Sequence, residues 1–264
     1  MNLIDYIKLL RPPLAVLGFL ASYSLMVYYE KWGSNEAWYI LLAIGFGNIA
    51  FNTFNELVDI EVDRRLKPWK PLPSGKVRPI QALVIASLSL LISLIFLLRL
   101  SLISDIYVIL GVFGYIGAGA YNLSGFKGIG SNIGLGLTYF CAAYMSSYPD
   151  GLYFALFFGI LTVAFNIAVQ IQDYKGDLEA EITTVPIQIG VEYSQILSLI
   201  LTFISFLFLI TSEIPYVSFM MFVIVILLLF GAHYHETPES YEILCRKMGR
   251  FFMILGFISL IAGW

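Results

Sequence analysis

Residues 52–75 read Asn52-Thr-Phe-Asn55-Glu-Leu-Val-Asp59-Ile-Glu-Val-Asp63-Arg64-Arg-Leu-Lys67-Pro-Trp-Lys70-Pro-Leu-Pro-Ser-Gly75. The chain on either side is mostly apolar, and here it stops being so. Acids recur at helical spacing, bases follow at once, and three prolines end the helix. A membrane chain tolerates such a cluster where the cluster does chemistry or sits at the water boundary.

That this is a membrane chain follows from composition. A soluble domain is about 45–50% apolar and about 25% charged. Here 59% of residues are hydrophobic and 12% charged, with a mean hydropathy of +0.84. One water-soluble core would leave too little polar surface to cover it. The apolar runs suit helices of about 20 residues, not the roughly 10-residue alternating strands of an outer-membrane barrel. The expected fold is therefore all-α: a single polytopic membrane domain over residues 1–264, with about nine transmembrane helices in one bundle.

Working outward, residues 2–10 alternate Leu3, Ile4, Ile7 and Leu10 with Asp5 and Lys8, as a short helix in the headgroup plane would. Arg11-Pro12-Pro13 ends it. Membrane helices are predicted over 14–29, from 37 into the quoted stretch, 79–98 and 105–121. The tract 132–172 divides at Pro149-Asp150-Gly151 into a fifth and a sixth. A seventh is predicted over 193–212, an eighth over 215–235 and a ninth over 248–264. The polar connectors are 52–79, which holds the first acids, and 166–190, which holds a second set. With the N-terminus inside, every Lys and Arg except Lys31 and Arg99 falls on the inner side, as the positive-inside rule requires. That places both acidic connectors on the cytoplasmic face, and an even helix count would break the pattern.

Other features bound function by exclusion. The N-terminus lacks the basic start, apolar run and cleavage site of a signal peptide. A formal charge of −3 does not suggest a nucleic-acid partner, and nothing points to an obligate protein partner. Cys141 and Cys245 lack metal or redox spacing and read as free thiols. His233 and His235 point in different directions on a helix, so they read as interfacial anchors. Arg11 reads as a base reaching for headgroups.

On a helix, Asn55, Asp59 and Asp63 stack on one face. Carboxylates aimed at one point repel, and a divalent cation resolves that. Oxygen ligands of this type suit Mg²⁺, which takes one or two carboxylates plus substrate phosphates. Arg64, Lys67 and Lys70 follow as candidate phosphate contacts. The order Asn-x6-Asp-x3-Asp occurs twice, as Asn52, Asp59, Asp63 and again as Asn166, Asp173, Asp177, with Gln170 between. Two acidic ladders at one membrane face can hold more than one Mg²⁺ and clamp a diphosphate. Tyr115, Tyr121 and Tyr139 are candidates to line a cation-bearing pocket.

The segment Asn55-xxx-Asp59-xxx-Asp63, followed by Lys67-Pro-x-Lys70-Pro-Leu-Pro73-Ser-Gly75, closely resembles the first signature of the UbiA superfamily of membrane prenyltransferases. Asp173-Tyr-Lys-Gly-Asp177, with Thr183-Thr184-Val185-Pro186 and Gly190 after it, resembles that family's second aspartate motif. Tyr121, Lys127 and Asn132 are similar to its tyrosine-to-lysine segment after the fourth helix. The resemblance covers nearly the whole chain. It implies transfer of an isoprenoid chain from an allylic diphosphate (geranyl, farnesyl or geranylgeranyl) to a hydrophobic acceptor, with diphosphate released. Asp59, Asp63, Asp173 and Asp177 would be the catalytic, Mg²⁺-binding acids. Asn55, Arg64, Lys67, Lys70, Tyr121, Lys127, Asn166 and Gln170 would line the diphosphate site.

One departure concerns the acceptor. Many relatives carry a Lys-Asp or Arg-Asp pair just before the second aspartates, where this chain has Val169-Gln170. An acceptor role tied to that pair has no footing here. The expected acceptor is a small aromatic such as 4-hydroxybenzoate or a quinone precursor, or a lipid. The alternative is an ether-lipid transferase of the digeranylgeranylglyceryl phosphate synthase type. A reading from another class is a cation-coupled transporter, although coupling sites lie near the midplane in broken helices. The spacing of a CDP-alcohol phosphotransferase is absent.

Overall fold

The computed structural model describes residues 3–10, 12–122 and 126–212 of the 264. In chain order the elements are α1 (Leu3–Leu9), α2 (Pro12–Tyr28), α3 (Asn35–Val58), α4 (Ile60–Leu66), α5 (Pro79–Ser101) and α6 (Asp105–Asn122). They continue with β1 (Phe126–Lys127), α7 (Ile129–Ser147), α8 (Leu152–Glu179), β2 (Thr183–Thr184), α9 (Val185–Ile189) and α10 (Val191–Thr211). The first seven expected membrane helices correspond to α2, α3, α5, α6, α7, α8 and α10. The eighth and ninth, with Arg11, His233, His235 and Cys245, lie outside the described residues. Among the described residues four helices, α3, α5, α8 and α10, are long and apolar enough to cross a membrane by themselves.

Local chemistry sets the helix ends. Ser34 caps α3 by accepting the Ala37 N–H at 3.1 Å. Pro79 opens α5, where its missing N–H costs nothing, and the Gln81 side chain accepts the Arg78 N–H at 3.0 Å. Tyr148–Pro149 is cis and separates α7 from α8. Gly190, at φ +88°, turns α9 into α10.

The helices are built inside-out. On α5 the buried positions are mainly small, Ala82, Ala86, Ser89 and Ser93, while Leu83, Leu88, Leu91, Ile95 and Leu98 are exposed. On α10 Ser194, Ser198, Thr202 and Ser205 are buried, and Ile196, Ile200, Phe203 and Leu207 face outward. Lipid is as apolar as leucine, so small and hydroxyl residues mark the helix contacts. Accordingly α5 packs on α3 and α10 on α8. Ser93 Oγ donates to the Ala43 carbonyl, and Ser198 Oγ reaches the Ala164 carbonyl at 2.9 Å. Glycines serve the other crossings. A Cβ on Gly134 would sit 2.7 Å from the Gly117 carbonyl of α6, and one on Gly136 2.9 Å from the Gly159 carbonyl of α8.

One feature lies beyond what the sequence predicts. The loop after α6 and the segment after α8 form a two-residue parallel ladder, Phe126 opposite Thr183 and Lys127 opposite Thr184. The sixth expected helix runs to Glu179, so Asp173 and Asp177 stand at the end of α8, where their spacing places them. At about 42 Å, α8 exceeds the roughly 30 Å hydrocarbon layer, and its acidic end projects beyond it. At the same end, α1 turns Leu9 onto Leu72, Val77 and Ala82 and leaves Leu3, Ile4 and Ile7 exposed.

Candidate functional site

The first acidic ladder is nearly continuous helix. Only Asp59 departs, yet its N–H still bonds the Asn55 carbonyl at 3.0 Å, and the Asp63 N–H bonds the Asp59 carbonyl at 2.8 Å. Asn55, Asp59 and Asp63 therefore share a face. Asn55 Nδ2 donates to Asp59 Oδ2 at 2.7 Å.

The proline-rich turn then folds back over this face. Gly75, at φ +73°, and the bonds of Ser74 N to the Lys70 carbonyl and of Val77 N to the Pro71 carbonyl close it. Lys70 Nζ consequently lies 2.5 Å from Asp63 Oδ2 and 3.1 Å from Glu56 Oε1. Both carboxylates are buried, so one ammonium group holds two charges that would otherwise be costly to bury. Sequence reasoning missed Glu56. The available signal was its place seven residues before Asp63, on the same helical face.

Lys127 comes from the other side. Its Nζ is 3.0 Å from Asp59 Oδ2 and 3.3 Å from Oδ1, with the Tyr121 ring 6.0 Å away. Its backbone is held from behind. Gln170 Nε2 donates to the Lys127 carbonyl at 3.0 Å, and Gln170 Oε1 accepts from Val185 N at 3.2 Å. Asn132 Nδ2 reaches the Gly128 carbonyl at 2.9 Å, while its Oδ1 accepts from Asn166 Nδ2 at 2.6 Å. Gln170 and Asn166, expected along the diphosphate, thus engage protein groups and brace the ladder that carries Lys127.

The second acids lie within electrostatic reach of the first and of this lysine. Asp177 feels the like charges of Asp173 and Asp59 and the opposite charges of Lys127 and Lys67. The fold therefore gathers Asp59, Lys67, Lys127, Asp173 and Asp177 into one electrostatic neighbourhood. Arg64 is drawn elsewhere: it pairs with Glu61 at 2.7 Å, and both side chains are exposed. Such a surface pair contributes little.

Among the described residues, no three acidic, histidine or cysteine side chains close on a single point as a metal cage would. Mg²⁺ does not require one, because it takes one or two carboxylates and completes its shell with water and substrate phosphate. The donor set, hard carboxylate oxygens flanked by lysines, fits a metal–diphosphate pair.

A cavity of about 340 Å³ begins beside these acids. Asn55 lines it, as do Asn48, Asn52 and Phe51, and the deep end is walled by Leu25, Leu97, Leu110, Met145 and Phe154. Tyr115, Tyr121 and Tyr139 all face it, and buried Cys141 is part of its wall. No Lys, Arg, His, Asp or Glu lines it among the described residues. An uncharged, aromatic-walled cavity thus abuts a charged cluster at one helix end.

The sequence profile described as the UbiA prenyltransferase family matches residues 13–255. Digeranylgeranylglyceryl phosphate synthase of Methanosphaera stadtmanae is 30% identical over 207 residues, covering 76% of this chain and 74% of that protein. The synthase of the same name from Saccharolobus solfataricus is 28% identical over 229 residues, covering 81% and 76%. Among solved structures, a UbiA homolog from Archaeoglobus fulgidus bound to GPP and Mg²⁺ superposes with a TM-score of 0.76 at 19% identity, over 98% of this chain and 99% of that one. The apo UbiA homolog of Aeropyrum pernix K1 gives 0.73 at 15% identity, over 92% and 96%.

Proposed function

This chain belongs to the UbiA prenyltransferase family, and we propose that it joins a geranylgeranyl-length chain to the hydroxyl of an isoprenoid glyceryl phosphate, in the manner of a digeranylgeranylglyceryl phosphate synthase. The observation that carries this reading is the uncharged cavity beside the acid–lysine cluster. An aromatic acid such as 4-hydroxybenzoate would bring a carboxylate into a cavity with no cation among its described lining residues, which costs heavily. A lipid alcohol brings only a hydroxyl and leaves its phosphate at the basic end. The relatives' names support the same choice, so the ether-lipid alternative is preferred to the aromatic acceptor. The transporter reading has no support in a family of transferases.

Cavity length supports the donor size. On α3 the lining runs from Ala43 to Asn55, about 18 Å, and on α8 from Phe154 to Ala168, about 21 Å. With backbone-like bonds advancing 3.3–3.6 Å per three, a four-bond isoprene unit extends roughly 4.5 Å, so about four units fit along the full length and about three inward of Asn52.

In the mechanism, Asp59, Asp63, Asp173 and Asp177 would hold Mg²⁺, which supplies Lewis-acid stabilisation of the departing diphosphate. Lys67, Lys70 and Lys127 would donate to its oxygens; Lys70 and Lys127 now pair with carboxylates. Asn55 orients Asp59. Gln170, Asn132 and Asn166 keep Lys127 in reach. Tyr115, Tyr121 and Tyr139 offer ring faces to the positive charge that develops on the allylic carbon, and the apolar walls exclude water from it. The allylic C–O bond breaks, the acceptor oxygen forms the ether bond, and its proton leaves with the diphosphate. The positive-inside distribution supports placing this end at the cytoplasmic face of the cell membrane.

The test is purified protein with geranylgeranyl diphosphate and Mg²⁺, offered geranylgeranylglyceryl phosphate and 4-hydroxybenzoate in parallel. Ether-linked product from the lipid, lost on chelation, is expected. Prenylated hydroxybenzoate without ether product would overturn the acceptor assignment.

A further inference from the structure

The acidic face of α3 continues inward as amides. Asn48, Asn52, Asn55 and Asp59 follow one another at spacings of four, three and four on that helix. Asn48 and Asn52 both line the cavity, and Asn52 Nδ2 donates to Asn48 Oδ1. That bond engages one amide nitrogen and one amide oxygen. Whichever way the two amides are turned, the pair retains one NH₂ group and one carbonyl oxygen. Among the described residues neither side chain makes another hydrogen bond. In a cavity whose walls are otherwise mostly hydrocarbon, such groups need a partner.

Gly18 of α2 lines the same cavity, and a Cβ there would sit 2.7 Å from Asn48 Nδ2, so glycine is what lets the amide lie against that wall. Asn52 stands seven residues from Asp59, about 10 Å along the helix. That distance accommodates a diphosphate and the bond that breaks.

We propose that Asn48 and Asn52 form the subsite that receives the acceptor's reacting hydroxyl. This rests on the prenyl-transfer reading above and deepens it. A hydroxyl is the group that both accepts from an amide N–H and donates to an amide oxygen, and it leaves a lone pair to face the allylic carbon. A carboxylate, acceptor only, would satisfy the nitrogen and repel the oxygen. Because neither amide titrates, the hydroxyl proton leaves with the diphosphate. The pair is therefore a neutral alcohol-selecting device, set where the cavity turns from polar to apolar.

The experiment measures binding, so it does not depend on turnover. Wild-type protein in detergent is titrated with an isoprenoid glycerol ether phosphate and with its analogue lacking the free hydroxyl, at fixed geranylgeranyl diphosphate and Mg²⁺. The hydroxyl compound should bind at least tenfold tighter. In Asn52→Leu and Asn48→Leu that preference should vanish, with metal-dependent diphosphate binding within about twofold of wild type. Asn52→Ser, which restores a small donor and acceptor, should recover part of it. Equal affinity of wild type for the two compounds overturns the subsite, as does retained preference in both leucine variants. A parallel fall in diphosphate and acceptor binding in both leucine variants also overturns it, since that marks a structural role. Failure of the family reading is separate: no product from any acceptor despite tight, hydroxyl-selective binding.

Discussion

Lys70 is the residue on which the first acid ladder depends. It stands between Glu56 and Asp63, two carboxylates buried at a membrane boundary, and contacts both. Removing one partner of a buried pair costs more than the pair contributes, because the other charge stays behind. Lys70→Met should therefore destabilise the protein by about 3 kcal/mol, read as a lowered unfolding midpoint in detergent. Millimolar Mg²⁺ should restore more of that midpoint in the variant than it adds to wild type, since the cation can take the vacated charge. An identical Mg²⁺ effect in both proteins would contradict the idea that lysine and metal compete for these oxygens. Residues at this scale differ in legibility. Asn55, Asp59 and Asp63 are readable from spacing alone because a helix converts i, i+4 into one face. Gln170 is not, because spacing says which face a side chain occupies and nothing about what waits there. Both its amide atoms engage backbone groups.

At the scale of elements, the bundle is organised by which helix face is small. The close contact of α6 with α7 rests on Gly117 and Gly134, each lying where a Cβ would press on the other helix's backbone. Gly117→Val should lower the unfolding midpoint and the folded yield, by more than the roughly 1–3 kcal/mol of an overpacked soluble core, because carbonyls do not move aside as side chains do. A Cβ added to Gly119, two residues on, would meet nothing within 4 Å, and Gly119→Ala should be near neutral. Equal effects at the two sites would show that helix propensity, not packing, dominates. Apolar length alone places these helices, since the hydrocarbon layer sets it. The β1–β2 ladder has no such signal: two residues per strand carry no period, and pairing needs α7 and α8 already assembled.

For the whole molecule, charge asymmetry orients the chain and the tertiary structure gives the asymmetry a purpose. The basic end is also the acidic end, and the cavity begins there. If the orientation proposed from the bases holds, a cysteine replacing exposed Ser74 should react with an impermeant maleimide only in inverted vesicles, and one replacing exposed Ser34 only in intact cells. Both measurements use a background lacking Cys141 and Cys245. Labelling with the opposite sidedness would refute the orientation while leaving the site chemistry intact.

The amino-acid sequence by itself determined the membrane, the helical class and the two acidic ladders, because each is written in composition or in periods of a single helix, and the family through the resemblance of its motifs. Only the tertiary structure decided how the ladders meet. Lys127 reaches Asp59 across 68 positions of chain, and Lys70 returns to Glu56 through a turn whose outcome depends on packing. The same holds for the cavity. Its wall, uncharged among the described residues, draws on α2, α3, α5, α6, α7, α8 and α10, and no local pattern reports what several helices enclose together. So the stretch from Asn52 to Gly75 announces one half of a site, while the contact of Lys127 with Asp59, the burial of Glu56 against Lys70 and the pairing of Asn52 with Asn48 become visible only once the helices are packed.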